Sequence, residues 1–214
     1  MICYYLVRQK IIAFYWALIY HAVINGSNKE IDMLLRRDSS CLLLIDVQEK
    51  LTPHVMQHEK LVANCEWLMR VASELDVPIL ATEQYSKGLG KTVSPLRDIM
   101  PGDTDIDKLH FSCYKDPCFL KYWNSLNAKQ AIISGIETHV CVLQTALDLL
   151  RTGVDVYVVA DAVSSRNSLD HDCGLERMRA EGVQLITREM VFFEWMEQAG
   201  TAVFKSLSKA FLKN

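Results

Sequence analysis

Five apolar residues in a row, Cys41-Leu42-Leu43-Leu44-Ile45, end abruptly on Asp46. A run this short without alternation reads as a strand covered on both faces, because a half-exposed strand alternates apolar with polar residues. Strands of that kind sit inside parallel sheets, and parallel neighbours need crossover connections, usually helical. The sequence supplies them. Leu61, Cys65, Leu68, Met69, Ala72 and Leu75 recur at helical spacing across Gln57 to Leu75, and Asp76-Val77-Pro78 stops that helix. Further strands are expected at Ile79 to Thr82, Asp105 to Leu109, Ala131 to Ser134, Val154 to Ala160 and Val183 to Thr187. Helices are expected through Val140 to Leu150, closing at Thr152-Gly153, and from Asp170 to Glu181. This alternation predicts an α/β fold, a three-layer α-β-α sandwich around a six-stranded, mostly parallel sheet. Right-handed crossovers bring every strand's C-terminal end to one edge, outside which such sheets bind ligands. Asp46, Glu83, Lys108 and the Gly135 to Cys141 turn are therefore candidates for a functional site. Lys87 to Asp103, with Gly88, Gly90, Pro95, Pro101 and Gly102, reads as a long loop beside the crevice. The tail from Thr201 to Lys213 reads as a short amphipathic helix covering the sheet edge or a neighbouring subunit.

Residues 1–32 do not share this pattern. Met1 to Ile24 is apolar except at Arg8, Gln9, Lys10 and His21, and its longest clean run, Ile11 to Tyr20, is short for a bilayer span. Asn25 to Glu30 is a polar linker, and Met33 precedes the first strand. Three readings stay open for this prefix: an upstream extension with Met33 as the biological start, a targeting or anchoring segment, and a helix packed on the domain or a partner. Residues 33–214 are expected to form one domain. With 23 Lys+Arg against 26 Asp+Glu, a formal net charge of −3, the chain does not suit coating nucleic acid or an anionic membrane. No nucleic-acid partner is expected, and no membrane contact unless the prefix is a native anchor. The seven cysteines include no C-x-x-C pair and read as reduced thiols, which suggests a cytoplasmic or mitochondrial location. The six histidines show no zinc spacing; His54 and His58, four apart, fall on a loop and a helix start.

One thiol stands out by position. Cys141 follows Thr138-His139-Val140 directly after a strand and falls in the first turn of the next helix, where unpaired N–H groups and the helix dipole favour a thiolate. Lys108, ending a neighbouring strand, would lower the thiol pKa further. Asp46 could take the thiol proton and return it to a leaving group. Each residue also has a plainer reading: a packing cysteine, a helix-capping aspartate, a solvated lysine. His139 is a candidate cap for the helix start.

The motifs Leu42-Leu43-Leu44-Ile45-Asp46-Val47-Gln48, Asp107-Lys108 followed by Phe111-Ser112, and Ser134-Gly135-Ile136-Glu137-Thr138-His139-Val140-Cys141-Val142 occur in that order. Together they resemble the isochorismatase-like cysteine hydrolase superfamily. Val158 to Ala162 and Ser164-Ser165-Arg166 also fit, and the resemblance covers Ser39 to about Lys213. It implies a Rossmann-like sheet, an Asp46, Lys108 and Cys141 triad, and a non-proline cis peptide between Ile136 and Glu137. It also implies oxyanion-binding N–H groups near Val140 and Cys141, and homo-oligomers from dimers to octamers. Nicotinamidases of this superfamily bind a metal through an Asp and two His after the second strand. This chain has Ala81-Thr82-Glu83-Gln84-Tyr85 there, so no metal and no other cofactor is expected. The Thr-Glu-Gln-Tyr string resembles the isochorismatase domain-containing subgroup, some of whose members carry the label of a mitochondrion-associated ribonuclease. The expected activity is Cys141-dependent hydrolysis of a small amide, carbamoyl or related C–N compound, with Gln48, Glu83, Gln84, Tyr85 and Tyr114 as pocket walls. A binding or scaffold protein with a vestigial triad, or a ribonuclease, is the alternative.

Overall fold

A computed structural model describes residues 34–100, 102 and 105–212. The expected apolar prefix over residues 1–32, and the start at Met33, lie outside the described residues. Six strands form one sheet: β1 (Ser40–Ile45), β2 (Ile79–Gln84), β3 (Asp105–Lys108), β4 (Gln130–Ile136), β5 (Asp155–Ser164) and β6 (Gln184–Ile186). Their order is β3-β2-β1-β4-β5-β6, and every neighbouring pair is parallel. All of β1 is buried, as its unbroken apolar run requires.

The helices are α1 (His58–Glu74), α2 (Ser86–Leu89), α3 (Ser94–Arg97), α4 (Pro117–Leu126), α5 (Leu143–Arg151), α6 (Ser168–Ala180), α7 (Arg188–Met196) and α8 (Ala202–Phe211). The pleat of β1 sorts them into two layers. Leu42 and Leu44 pack in one core with Leu61, Leu68 and Met69 of α1, Phe192 and Trp195 of α7, and Leu207 of α8. Cys41, Leu43 and Ile45 face a second core with Phe119 and Trp123 of α4, Leu143 and Ala146 of α5, and Met178 of α6. The result is the three-layer sandwich expected from the alternation of elements.

Two helices, α4 and α7, escape the sequence reading. In α4, Asp116 accepts from Cys118 N and Pro117 occupies the first turn, a start signal that the spacing of Phe119 and Trp123 confirms. In α7, Thr187 accepts from Met190 N and so caps a helix rather than ending a strand. The loop expected over Lys87 to Asp103 contains the short helices α2 and α3. The tail helix α8 forms as expected and packs on α1: Trp67 donates to Phe211 O, and the two rings meet edge-on at 5.8 Å.

Strand order reverses between β1 and β4, the point outside whose C-terminal ends sheets of this kind bind ligands. Gly135 makes that junction possible. It has φ +111°, and a Cβ on it would lie 2.1 Å from Ile45 O. The β4–β5 register then jumps from Ile133↔Val158 to Gly135↔Val163, so residues 159–162 bulge and β5 runs on beside Gly135 and Ile136. Gly135→Ala is expected to destabilise the protein by more than about 3 kcal/mol, because both backbone conformation and β1 carbonyl resist the methyl group. Chemical denaturation checks this; a loss below about 1 kcal/mol would contradict the packing at the switch point.

Candidate active site

Asp46 is the first residue past β1, and the chain turns sharply on it: φ is +53°, and Gln48 N donates back to Asp46 O at 2.8 Å. Aspartate tolerates this left-handed conformation better than most residues, yet it still costs about 1–3 kcal/mol. The turn holds a carboxylate at the crevice, buried from solvent. Thr82, in β2 and level with Ile45, donates to Asp46 Oδ1 at 2.7 Å. Lys108, at the end of β3, reaches across β2, and its Nζ donates to Asp46 Oδ2 at 2.7 Å with both side chains buried. The same ammonium donates to Gln84 Oε1 at 2.7 Å and contacts the carbonyls of Phe111 at 3.2 Å and His110 at 3.3 Å. Four oxygens surround three N–H groups, which is what makes a buried ammonium tolerable.

Cys141 lies in a five-residue π-helical turn, Thr138–Val142, between β4 and α5. The Ile136–Glu137 peptide that leads into it is cis. Its thiol is 4.0 Å from Gln84 Oε1, the oxygen that also accepts from Lys108. The thiol is not the depressed thiolate expected from a helix start. Burial pushes its pKa well above the ordinary thiol value; the Asp46 charge pushes it further, and Lys108 lowers it only in part. Lys108 is already neutralised by Asp46, which explains why the nearby cation does not win. At rest the site holds a protonated thiol facing a carboxylate that can receive its proton.

The remaining candidates divide. Gln84 reaches the centre and also donates through Nε2 to Leu109 O, tying the ends of β2 and β3. Gln48 does not line the pocket: its amide accepts from Gln84 N and donates to the carbonyls of Gln84 and Gly90, stapling the loop after β2. Glu83 is likewise turned away, because strand alternation points it opposite Gln84. Its carboxylate takes the Thr92 N–H and hydroxyl and the Lys91 ammonium. Tyr85 has φ +42° and is half exposed, its ring folded over Gly88 of its own loop. Tyr114 packs at the margin of the core that contains Cys141. Val140 N donates to Glu137 O at 3.0 Å, so this N–H is engaged in the turn rather than free for an oxyanion. His139 does not cap the helix; its Nδ1 is 3.0 Å from Ser165 Oγ. Thr82 is the functional neighbour that the sequence reading missed. Its placement after the apolar Ile79-Leu80-Ala81 and level with Ile45 is the signal that points to it.

The Isochorismatase domain family model matches residues 40–190. Isochorismatase domain-containing protein 2A of Mus musculus is 40% identical over 173 residues, covering 80% of this chain and 82% of the relative. The MAR1 ribonuclease structure from Caenorhabditis elegans superposes with a TM-score of 0.79 at 34% identity, covering 85% of this chain and 93% of the other. The YcaC gene product of Escherichia coli, described as an octameric hydrolase of unknown specificity, gives a TM-score of 0.78 at 27% identity, covering 84% and 91%.

The electrostatics of the centre make a signed prediction. Asp46→Asn removes the charge that helps to hold the thiol protonated and leaves Lys108 less opposed, so the Cys141 pKa is expected to fall. The pH dependence of Cys141 alkylation by iodoacetamide, read by peptide mass spectrometry, checks this. An unchanged or higher pKa would show that Asp46 does not act on the thiol.

Proposed function

The chain belongs to the isochorismatase family, and we propose that it is a cysteine-dependent hydrolase of small amide, carbamoyl or related C–N substrates. The observation that carries this reading is the position of the Cys141 thiol beside the buried Asp46 carboxylate and Lys108 ammonium, linked through Gln84. In this mechanism the substrate carbonyl enters above Cys141. The thiol proton passes to Asp46 as sulfur bonds to the carbonyl carbon, so the thiolate never has to persist in the buried site. The carbonyl π electrons move to oxygen. Asp46 then returns the proton to the leaving nitrogen, the C–N bond breaks, and an amine departs from a Cys141 thioester. Water, giving its proton to Asp46, attacks the thioester; the C–S bond breaks, the acid leaves, and the sulfur regains the proton. Lys108 holds the Asp46 carboxyl in place through each cycle, and Thr82 fixes its other oxygen.

A homo-oligomer is the proposed assembly, supported by the octameric description of the YcaC relative. The described cysteines are all free, which supports a reducing compartment, cytoplasmic or mitochondrial. A second reading, hydrolysis of RNA, is favoured by the name of the Caenorhabditis elegans MAR1 ribonuclease. Against it stands the net charge of −3, which disfavours binding a polyanion.

A panel of amides, carbamoyl compounds and RNA, assayed with wild type and Cys141→Ala, tests both readings. The proposal expects hydrolysis of at least one C–N compound, with kcat/KM falling by about a thousandfold or more in the variant. Turnover that survives Cys141→Ala would refute the nucleophile, and RNA cleavage without C–N hydrolysis would favour the second reading.

A further inference from the structure

The Ser164-Ser165-Arg166 motif has no part in the chemistry above, yet the structure places it against the turn that carries Cys141. Because β5 runs on past its bulge to pair with Gly135 and Ile136, the chain leaves the strand beside the nucleophile turn. Three successive residues of that turn's entry are then held by side chains from residues 165–171. Glu137 Oε2 accepts from Arg166 Nε at 2.9 Å. Thr138 Oγ1 lies 2.9 Å from His171 Nδ1. His139 Nδ1 lies 3.0 Å from Ser165 Oγ, with Asp170 Oδ2 at 3.8 Å from its Nε2. Thr138 and Ser165 are fully buried, which partly shields their bonds to the two histidines, whereas the Arg166–Glu137 pair is exposed. Burial keeps the His171 pKa below its ordinary value, which leaves a neutral imidazole to pair with the Thr138 hydroxyl.

The approach of α6 is equally specific. A Cβ at Gly174 would lie 3.1 Å from His139 Cα and 3.3 Å from both its Cβ and its N. Gly174 therefore lets α6 seat directly on the turn's backbone, two residues before Cys141.

We propose that Ser165, Arg166, His171 and Gly174 form a clamp that positions the nucleophile turn and holds the Cys141 thiol in its buried place beside Asp46. They are positioning residues, since none of them touches the reacting atoms. The inference rests on the reading of Cys141 as the nucleophile. Its consequence has two opposite signs. A loosened turn lets the thiol move out of the buried site, so its pKa drifts down and it alkylates faster at neutral pH. The same loosening takes sulfur off line with Asp46, so hydrolysis slows.

The test compares His171→Leu, which removes the hydrogen bond to Thr138, with His171→Asn, whose amide restores a partner near the Nδ1 position. Gly174→Ala pushes on the turn from the other side. Iodoacetamide labelling at neutral pH is followed by peptide mass spectrometry at every described cysteine. The expected result is Cys141 alkylation faster by about tenfold in His171→Leu and Gly174→Ala, with buried Cys65 and Cys113 unchanged and near wild-type behaviour in His171→Asn. On a substrate that the panel identifies, kcat falls by a similar factor with KM unchanged. The clamp is refuted by Cys141 rates within about twofold of wild type, or by rates that rise only in step with Cys65 and Cys113, the sign of general loosening. Should Gly174→Ala not fold, the His171 pair decides alone. Failure of the nucleophile reading is separate, since it shows as turnover retained in Cys141→Ala whatever the labelling pattern.

Discussion

The buried ion pair between Lys108 and Asp46 is the interaction on which the rest of the site depends. Removing two charges from water is costly, and the pair is sustained only because Thr82, Gln84 and two backbone carbonyls occupy the remaining hydrogen-bonding positions. That requirement fixes the ends of three strands relative to one another. β1 must end in a left-handed aspartate, β2 must offer Thr82 and Gln84 on the crevice side, and β3 must end on a lysine whose chain spans the width of β2. Gln48 and Glu83, buried just beneath, hold the loop after β2 so that Gln84 stays in register. The consequence for the thiol is electrostatic. A lysine neutralised by its own carboxylate has little left with which to draw a proton from Cys141, so the resting site stores the proton on sulfur.

Much of this was legible in the chain. The unbroken apolar run of β1 announces a central parallel strand, and helical spacing between such runs announces the sandwich. Once the sheet is parallel, Asp46, Lys108 and Cys141 must share one edge, whatever the family. The resemblance then adds the triad and the cis peptide before Glu137, and the backbone carries that peptide in the cis form.

What the sequence hides is side-chain direction and competition between partners. Gln48 and Glu83 stand at the crevice edge in sequence, but strand alternation and the needs of the 85–92 loop turn them away from it. Val140 has an N–H in the right neighbourhood, but the turn engages it with Glu137 O. Cys141 reads as a thiolate when only the helix start and Lys108 are counted; its burial and the Asp46 charge reverse the sign. Thr82 and His171 looked like ordinary strand and helix residues, because their roles come from partners 36 and 33 residues away. The helices α4 and α7 were hidden for a milder reason: each is short, and its start is marked by a single capping residue, Asp116 or Thr187, rather than by a long periodic run.

The central claim is that Cys141 carries the acyl group between two half-reactions, with its proton cycling through Asp46. The direct measurement is rapid acid quench of wild-type protein mixed with a C–N substrate that it hydrolyses, followed by peptide mass mapping. The account predicts a mass increase equal to the substrate's acyl or carbamoyl portion, confined to the peptide that contains Cys141 and absent from Cys141→Ala. An adduct on any other residue, or turnover with no covalent intermediate at any quench time, would contradict it.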